Sequence, residues 1–231
     1  MAVDLHTLRK SHTGRRCFFL GNGPSLNKLD LSLLEGEQVW AANRAYLLFE
    51  RVSWRPAFYV IKDPNVIENS IDAIRNLMPS LPNTVFLYPD WVRSAGSIMD
   101  SANVCWYREV DRVDTNYPEF SVNADEGIVR SSTVAIVAMQ LAIWMGFEPV
   151  ILIGCDMTYQ ASSQSEHADP DHFDPHYLDG GRSWQVPDVA GMLAHMAAAK
   201  RACDAYGVTI LNATAGGRLE AFPRVSYASI F

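Results

Sequence analysis

Seven short apolar runs, separated by stretches with helical spacing, constrain this chain more than any other feature. The runs cover residues 17–20, 38–42, 57–61, 84–88, 104–107, 149–153 and 208–211. Each has strand length, and several are bounded by turn residues. Three intervening stretches read as helices. Residues 64–78 begin with Pro64 in the first turn and carry Val66, Ile67, Ile74 and Leu77 on an apolar face. Residues 132–145 are rich in Ala, Met, Leu and Ile and stop before Gly146, and residues 189–206 stop at Gly207. Strands alternating with helices imply a mostly parallel α/β sheet covered by helices on both faces. At 231 residues and 48% hydrophobic content, the chain can bury the core of one such domain, alone or with a small subdomain.

In a sheet of this kind, ligands bind beyond the carboxyl ends of the strands. The first run breaks into Gly21-Asn22-Gly23-Pro24-Ser25. The two glycines leave room for a ligand to approach the backbone. Ser25 could cap the following turn and leave backbone N–H groups for an anion. Asn22 offers both donors and acceptors to a base edge, a ribose or a phosphate. No Lys follows the second glycine, so this is not a Walker loop, and it is not a full dinucleotide fingerprint. Other strand ends supply Asn43, Lys62-Asp63 and Gly154-Cys155-Asp156. Any one of them alone is more often a turn or cap residue. Four polar ends in one sheet point to a shared pocket.

A formal net charge of −7 argues against a general electrostatic grip on nucleic acid. The cysteines, at positions 17, 105, 155 and 203, form no CxxC pair, which excludes a zinc knuckle or redox motif and suits a reducing cytoplasm. Residues 1–16 are polar and basic without the apolar core of a secretory signal. The longest apolar candidate, residues 132–147, falls short of a membrane span and reads as a core helix. The expectation is a cytoplasmic protein, with association at the inner membrane surface left open, as is a homo-oligomer. Residues 1–15 read as an N-terminal tail and residues 16–231 as one domain.

Residues 157–188 differ from the rest. They show little apolar periodicity and contain His167, His172, His176, Asp169, Asp171, Asp174 and Asp179. A loop this long in a compact domain is usually a functional lid or disordered. Tyr159, Phe173, Tyr177 and Trp184 could anchor it on the body, which favours a lid. The His/Asp spacing matches no familiar zinc set, so a lid carrying a catalytic histidine is the preferred reading over a metal centre.

Leu20-Gly21-Asn22-Gly23-Pro24-Ser25-Leu26 followed by Val39-Trp40-Ala41-Ala42-Asn43-Arg44 resembles the opening of the bacterial family 42 sialyltransferases and of the related MptE-like domains, whose archaeal members are pterin diphosphokinases. Arg130-Ser131-Ser132-Thr133 and the run from Val150 to Asp156 resemble the second half of the same fold. Asn212-Ala213-Thr214-Ala215-Gly216-Gly217-Arg218-Leu219 resembles the closing motif of the MptE-like group. The resemblance implies a Rossmann-like sheet with a lid subdomain. It puts Asn22 and Asn43 on the donor-nucleotide asparagines, and Ser132 and Thr133 near hydroxyl residues that contact the nucleotide sugar. Asp63 stands where the sialyltransferases carry a third asparagine, and Gly180 where they carry the lid's histidine base.

Three functions follow from this reading. The leading one is a glycosyltransferase that needs no cofactor and uses a nucleotide sugar, with a CMP-linked acidic sugar as the favoured donor, to build a surface glycan on a glycan acceptor. Asn22, Asn43, Ser132 and Thr133 would hold the nucleotide. Arg130 or Tyr159 would meet the leaving phosphate, and His176, or else His172, would act as base. The second is magnesium-dependent pyrophosphoryl transfer from ATP to a pterin-like alcohol. There Asp63 and Asp156 would hold the metal and the N–H groups of residues 21–25 the phosphates. The third is a non-catalytic member that binds nucleotide or glycan.

Overall fold

The computed structural model describes residues 1–96, 98, 101–112, 116–117, 119–159, 169–179 and 187–231. Seven strands form one wholly parallel sheet. They are β1 (Cys17–Leu20), β2 (Val39–Ala42), β3 (Phe58–Val60), β4 (Val85–Pro89), β5 (Val104–Tyr107), β8 (Val150–Ile153) and β9 (Ile210–Asn212). A small second sheet pairs β6 (Glu109–Val110) with β7 (Ile128–Val129). The order of the large sheet is β5-β4-β3-β2-β1-β8-β9. β1, β2 and β8 are buried at every position, as expected of parallel strands covered on both faces.

Successive side chains of each strand point to opposite faces, so two cores form. Phe19, Trp40, Phe58 and Leu152 face one of them, which contains α3 (Val134–Trp144) and α4 (Val189–Tyr206). Phe18, Val39, Tyr59 and Ile151 face the other, which contains α1 (Pro64–Leu77), the short α2 (Asp90–Ser94) and part of the 157–188 segment. α3 is the apolar stretch 132–147 of the sequence, and nearly every residue of it is buried. Its one buried amide, Gln140, accepts from the N–H groups of Ser121 and Val129 and donates to the Val129 carbonyl, tying α3 to β7. No described helix is long and apolar enough to cross a membrane.

Residues 2–15, read from the sequence as a tail, lie against the body. Val3 bridges Cys105 on the outer edge of β5, and Leu5 and Leu8 pack on the core. Covering an edge strand in this way removes a template for unwanted pairing. The Arg9 guanidinium lies over Trp144, and His12 stacks on Phe147 at 4.4 Å.

Candidate functional site

From β1 the chain builds the sheet outward to β5, then crosses back and continues on the other side of β1 with β8 and β9. β1 and β8 therefore flank the switch point at which an open α/β sheet forms a crevice. A cleft of about 860 Å³ opens there. It is lined by the residues that follow β1, β2, β3 and β8, by the first turns of α1, α3 and α4, and by part of the 169–179 segment.

The glycines of the first loop have a different purpose from the one expected. A Cβ on Gly21 would sit 2.2 Å from the Gly154 carbonyl oxygen, and one on Gly23 would sit 1.9 Å from Oδ2 of Asp156. They are required because the ends of β1 and β8 pack on each other, and both also line the cleft. Three of the loop's N–H groups are also committed. Gly21 donates to the Ile153 carbonyl, Gly23 to the Gly154 carbonyl, and Ser25 to Oδ1 of Asp156. The Ser25 hydroxyl donates to Oδ2 of Asp156 at 2.6 Å. Ser25 is thus held by an acid from β8 and caps nothing itself. Gly21, Asn22 and Gly23 line the cleft, and Pro24 and Ser25 do not.

Asn22 and Asn43 do line the cleft. Asn22 donates through Nδ2 to the Ala42 carbonyl at 3.2 Å. The Oδ1 atoms of both asparagines are buried without a donor among the described residues. Asn43 also has a left-handed backbone, with φ of 55°, held by the Tyr59 hydroxyl donating to its carbonyl at 2.7 Å. Asparagine is among the few residues that tolerate this conformation, and such strain gathers at functional sites. Asn22→Ala should weaken binding of the cleft's ligand by about 1–3 kcal/mol, the cost of losing a buried polar partner. Titration calorimetry with an unchanged affinity would remove Asn22 from the site.

Of the other expected residues, Asp63, Ser132, Thr133, Asp156 and Tyr159 line the same cleft. Asp63 caps α1, its Oδ1 accepting from the N–H of Asn65 at 2.8 Å, and Thr133 caps α3 through Oγ1. The Ser132 N–H donates to Nδ1 of His195 on α4 at 3.3 Å, and the Ser132 hydroxyl lies 2.8 Å from the same nitrogen. His195 had no distinguishing signal in the sequence, because it sits in an Ala/Met helix. Burial raises the Asp156 carboxyl above the usual range, against the opposing pull of its Ser25 bonds. Burial and neighbouring acids push the Tyr159 phenol up to about 12. All four cysteines are buried and reduced, and Cys155 in the cleft wall is pushed up to about 12 by burial.

The two lid histidines separate. His172 lines the cleft. Its Nδ1 is 2.6 Å from Oδ2 of Asp169, and its ring stacks on Tyr177 at 3.8 Å. An ionised carboxylate only accepts, so Nδ1 carries the proton and Nε2 is the basic nitrogen. His176 lies outside the cleft, its side chain 75% exposed and paired with Asp179. Arg130, expected at the leaving phosphate, is also outside. Its side chain is 58% exposed and faces Glu109 and Asp111 at 3.6 and 3.3 Å. Gly180, His167 and Trp184 lie outside the described residues.

Phe173 and Tyr177 are buried in the second core and anchor the described part of the 157–188 segment. The Phe173 N–H donates to the Asn22 carbonyl, and Asn27 donates to the Phe173 carbonyl. Arg44 donates to the carbonyls of Tyr177 and Asp179. Arg44→Ala should therefore raise amide exchange across residues 169–179 about tenfold or more while leaving β1 and β8 protected. Unchanged exchange would show that Phe173 and Tyr177 hold the segment alone.

Asp63 and Asp156, the expected cation pair, both line the cleft and are both engaged by the protein. Both oxygens of Asp156 serve Ser25, and Oδ1 of Asp63 caps α1. Among the described residues no three His, Cys, Asp or Glu side chains gather as metal ligands.

The architecture is that of a Rossmann-like α/β protein with a cleft at the switch point of its sheet. A family profile described as 6-hydroxymethylpterin diphosphokinase MptE-like matches residues 2–162, and the chain belongs to this MptE-like family. No curated protein matches the chain in sequence. Among solved structures, it is similar to the MAf glycosyltransferase from Magnetospirillum magneticum AMB-1, with a TM-score of 0.53 and 18% identity over 96% of this chain. That alignment spans 35% of the other protein's length. The sialyltransferase CstII from Campylobacter jejuni, in complex with the substrate analogue CMP-3FNeuAc, gives a TM-score of 0.53 at 12% identity over 92% of this chain and 86% of that one. A variant of sialyltransferase CST-II in complex with CMP gives 0.52 at 12% identity over the same shares. At these identities the likeness establishes a shared fold.

Proposed function

We propose that the chain is a glycosyltransferase that moves a sugar from a nucleotide donor, with CMP as the favoured nucleotide, to a hydroxyl of a glycan acceptor. The observation that carries this reading is the pairing, in one cleft, of two buried amide oxygens that lack a donor among the described residues with an imidazole oriented by a carboxylate. Leaving such an oxygen unpaired costs about 1–3 kcal/mol, so a donor from outside the chain is expected at Asn22 and Asn43. An amino group on a base edge or a ribose hydroxyl supplies one. The complexes of the two sialyltransferase structures with CMP and a CMP-sugar analogue support a nucleotide as the ligand.

Chemistry of this kind asks the protein for position and proton transfer. Nε2 of His172 takes the proton of the acceptor hydroxyl as its oxygen bonds to the anomeric carbon. The bond from that carbon to the donor phosphate breaks, and its electron pair stays on the phosphate oxygen. Asp169 stabilises the imidazolium, which then returns its proton to water. No metal or cofactor is required in this scheme. Formation of a surface glycan, at a cytoplasmic or inner-membrane location, is the corresponding biological role.

A thermal-shift screen of CMP, CDP, UDP, GDP and ATP, each with and without magnesium, tests the reading. A ligand that binds only the folded state raises its stability as RT ln(1 + [L]/Kd). Stabilisation by CMP without magnesium supports the proposal. Stabilisation by ATP alone, and only with magnesium, supports the pyrophosphoryl-transfer reading that the family match favours.

A further inference from the structure

With Arg130 outside the cleft, the reaction above lacks a cation for its leaving group, and a lysine occupies the right place. Lys62 is the only Lys or Arg lining the cleft among the described residues. It immediately precedes Asp63, the cap of α1, and its Nζ donates to the carbonyl of Ser131, just before the cap of α3. Lys62 thus ties together the two loops that lead into these helices. The first turns of both line the same stretch of cleft, through Asn65 and Val66 on one side and Val134 and Ala135 on the other. Helix N-termini carry partial positive charge, so this stretch favours an anion. Behind it lies Glu109, only 5% exposed, with one oxygen accepting from the Trp91 indole at 3.0 Å.

We propose that Lys62 is the phosphate-contacting catalytic residue of this cleft, an inference that rests on the nucleotide-sugar reading. An ammonium has three donors, and Ser131 takes one of them. The others are available to the phosphate of a nucleoside monophosphate sugar. When the bond to the anomeric carbon breaks, the electron pair remains on the phosphate, which gains one negative charge. Lys62 keeps its proton throughout and neutralises that charge, then holds the released nucleotide. Burial lowers its basicity, while the nearby Glu109 and Asp63 carboxylates oppose that effect and Arg130 reinforces it. Asp169, Asp171 and Asp188, which also line the cleft, repel a phosphate, whereas Lys62 attracts one.

The test compares nucleoside with nucleoside monophosphate, in four matched pairs from cytidine and CMP to adenosine and AMP, by titration calorimetry. The wild-type protein should bind one monophosphate about 10–100-fold more tightly than its nucleoside, the range expected of a charge-assisted hydrogen bond. Lys62→Met should erase that preference while nucleoside affinity stays the same, which also shows that the variant is folded. Lys62→Arg should restore most of it. A second measurement uses the unaltered protein. The monophosphate, and not the nucleoside, should shield Lys62 from acetylation, read by mass spectrometry. If Lys62→Met keeps the full preference, or if the monophosphate leaves Lys62 as reactive as before, the inference is overturned and the nucleotide reading stands. If no nucleoside or monophosphate binds the wild-type protein, the reading beneath it fails and takes the inference with it.

Discussion

His172→Ala should lower turnover of the nucleotide-sugar donor by about 10²–10⁴-fold, the range typical of losing a general base, with donor affinity little changed. The imidazole is the only one lining the cleft among the described residues, and Asp169 fixes which of its nitrogens is basic. Asp169→Asn should share much of the loss, because an amide can present its N–H to Nδ1 and favour the wrong tautomer. His176→Ala should stay near wild-type turnover, since that ring faces solvent with Asp179. The opposite pattern, with His176 essential and His172 dispensable, would mean that residues 169–179 rearrange before reaction. Full turnover in both variants would leave the transfer mechanism without its base.

Gly21→Ala should lower the melting temperature by about 5–10 °C and abolish nucleotide stabilisation, from an overpacking cost of about 1–3 kcal/mol or more. The new methyl would lie 2.2 Å from the Gly154 carbonyl oxygen and 2.6 Å from its carbon, both backbone atoms that cannot rotate away. Relief requires parting β1 from β8, which carry the cleft between them. Gly36→Ala serves as the contrast. Its backbone is left-handed at φ +81°, with nothing within 4 Å of the added Cβ. It should cost about 1–2 kcal/mol through backbone strain alone and leave nucleotide binding intact. A Gly21→Ala protein that melts and binds like wild type would refute the packing account of this loop.

Much of this architecture was legible in the sequence for physical reasons. Parallel strands buried on both faces are continuous apolar runs, and all seven runs read from the sequence are strands of the large sheet, with ends shifted by a residue or two. Pro64 and Gly207 mark the start of α1 and the end of α4 because one cannot donate an N–H and the other takes φ of 68°. The two-residue strands β6 and β7 have no period to detect, and residues 2–15 show their packing only through distant partners such as Cys105 and Trp144.

The cleft was legible as far as the rule of strand ends reaches. That rule brought Asn22, Asn43, Asp63 and Asp156 together, and the structure lines one cleft with them. It could not say why Gly21 and Gly23 are glycines, because the atoms they would strike belong to residues 154 and 156. Nor could it rank His172 over His176, four apart in a segment without regular spacing. Arg130 looked available because Glu109 and Asp111, which engage it, lie some twenty positions away in sequence. Lys62 was visible as a strand-end residue, but its tie to Ser131 is a long-range contact.

The central claim, that this cleft transfers sugar from a nucleotide, is tested most directly by phosphorus NMR of the purified protein. The sample would contain CMP-linked and UDP-linked sugars with a mixture of glycan acceptors, in the presence of a chelator. The account predicts release of the free nucleotide at a rate that adding magnesium leaves unchanged and that His172→Ala suppresses. It would be contradicted if every nucleotide sugar stayed intact while the same protein, given ATP, magnesium and a hydroxymethylpterin, produced AMP.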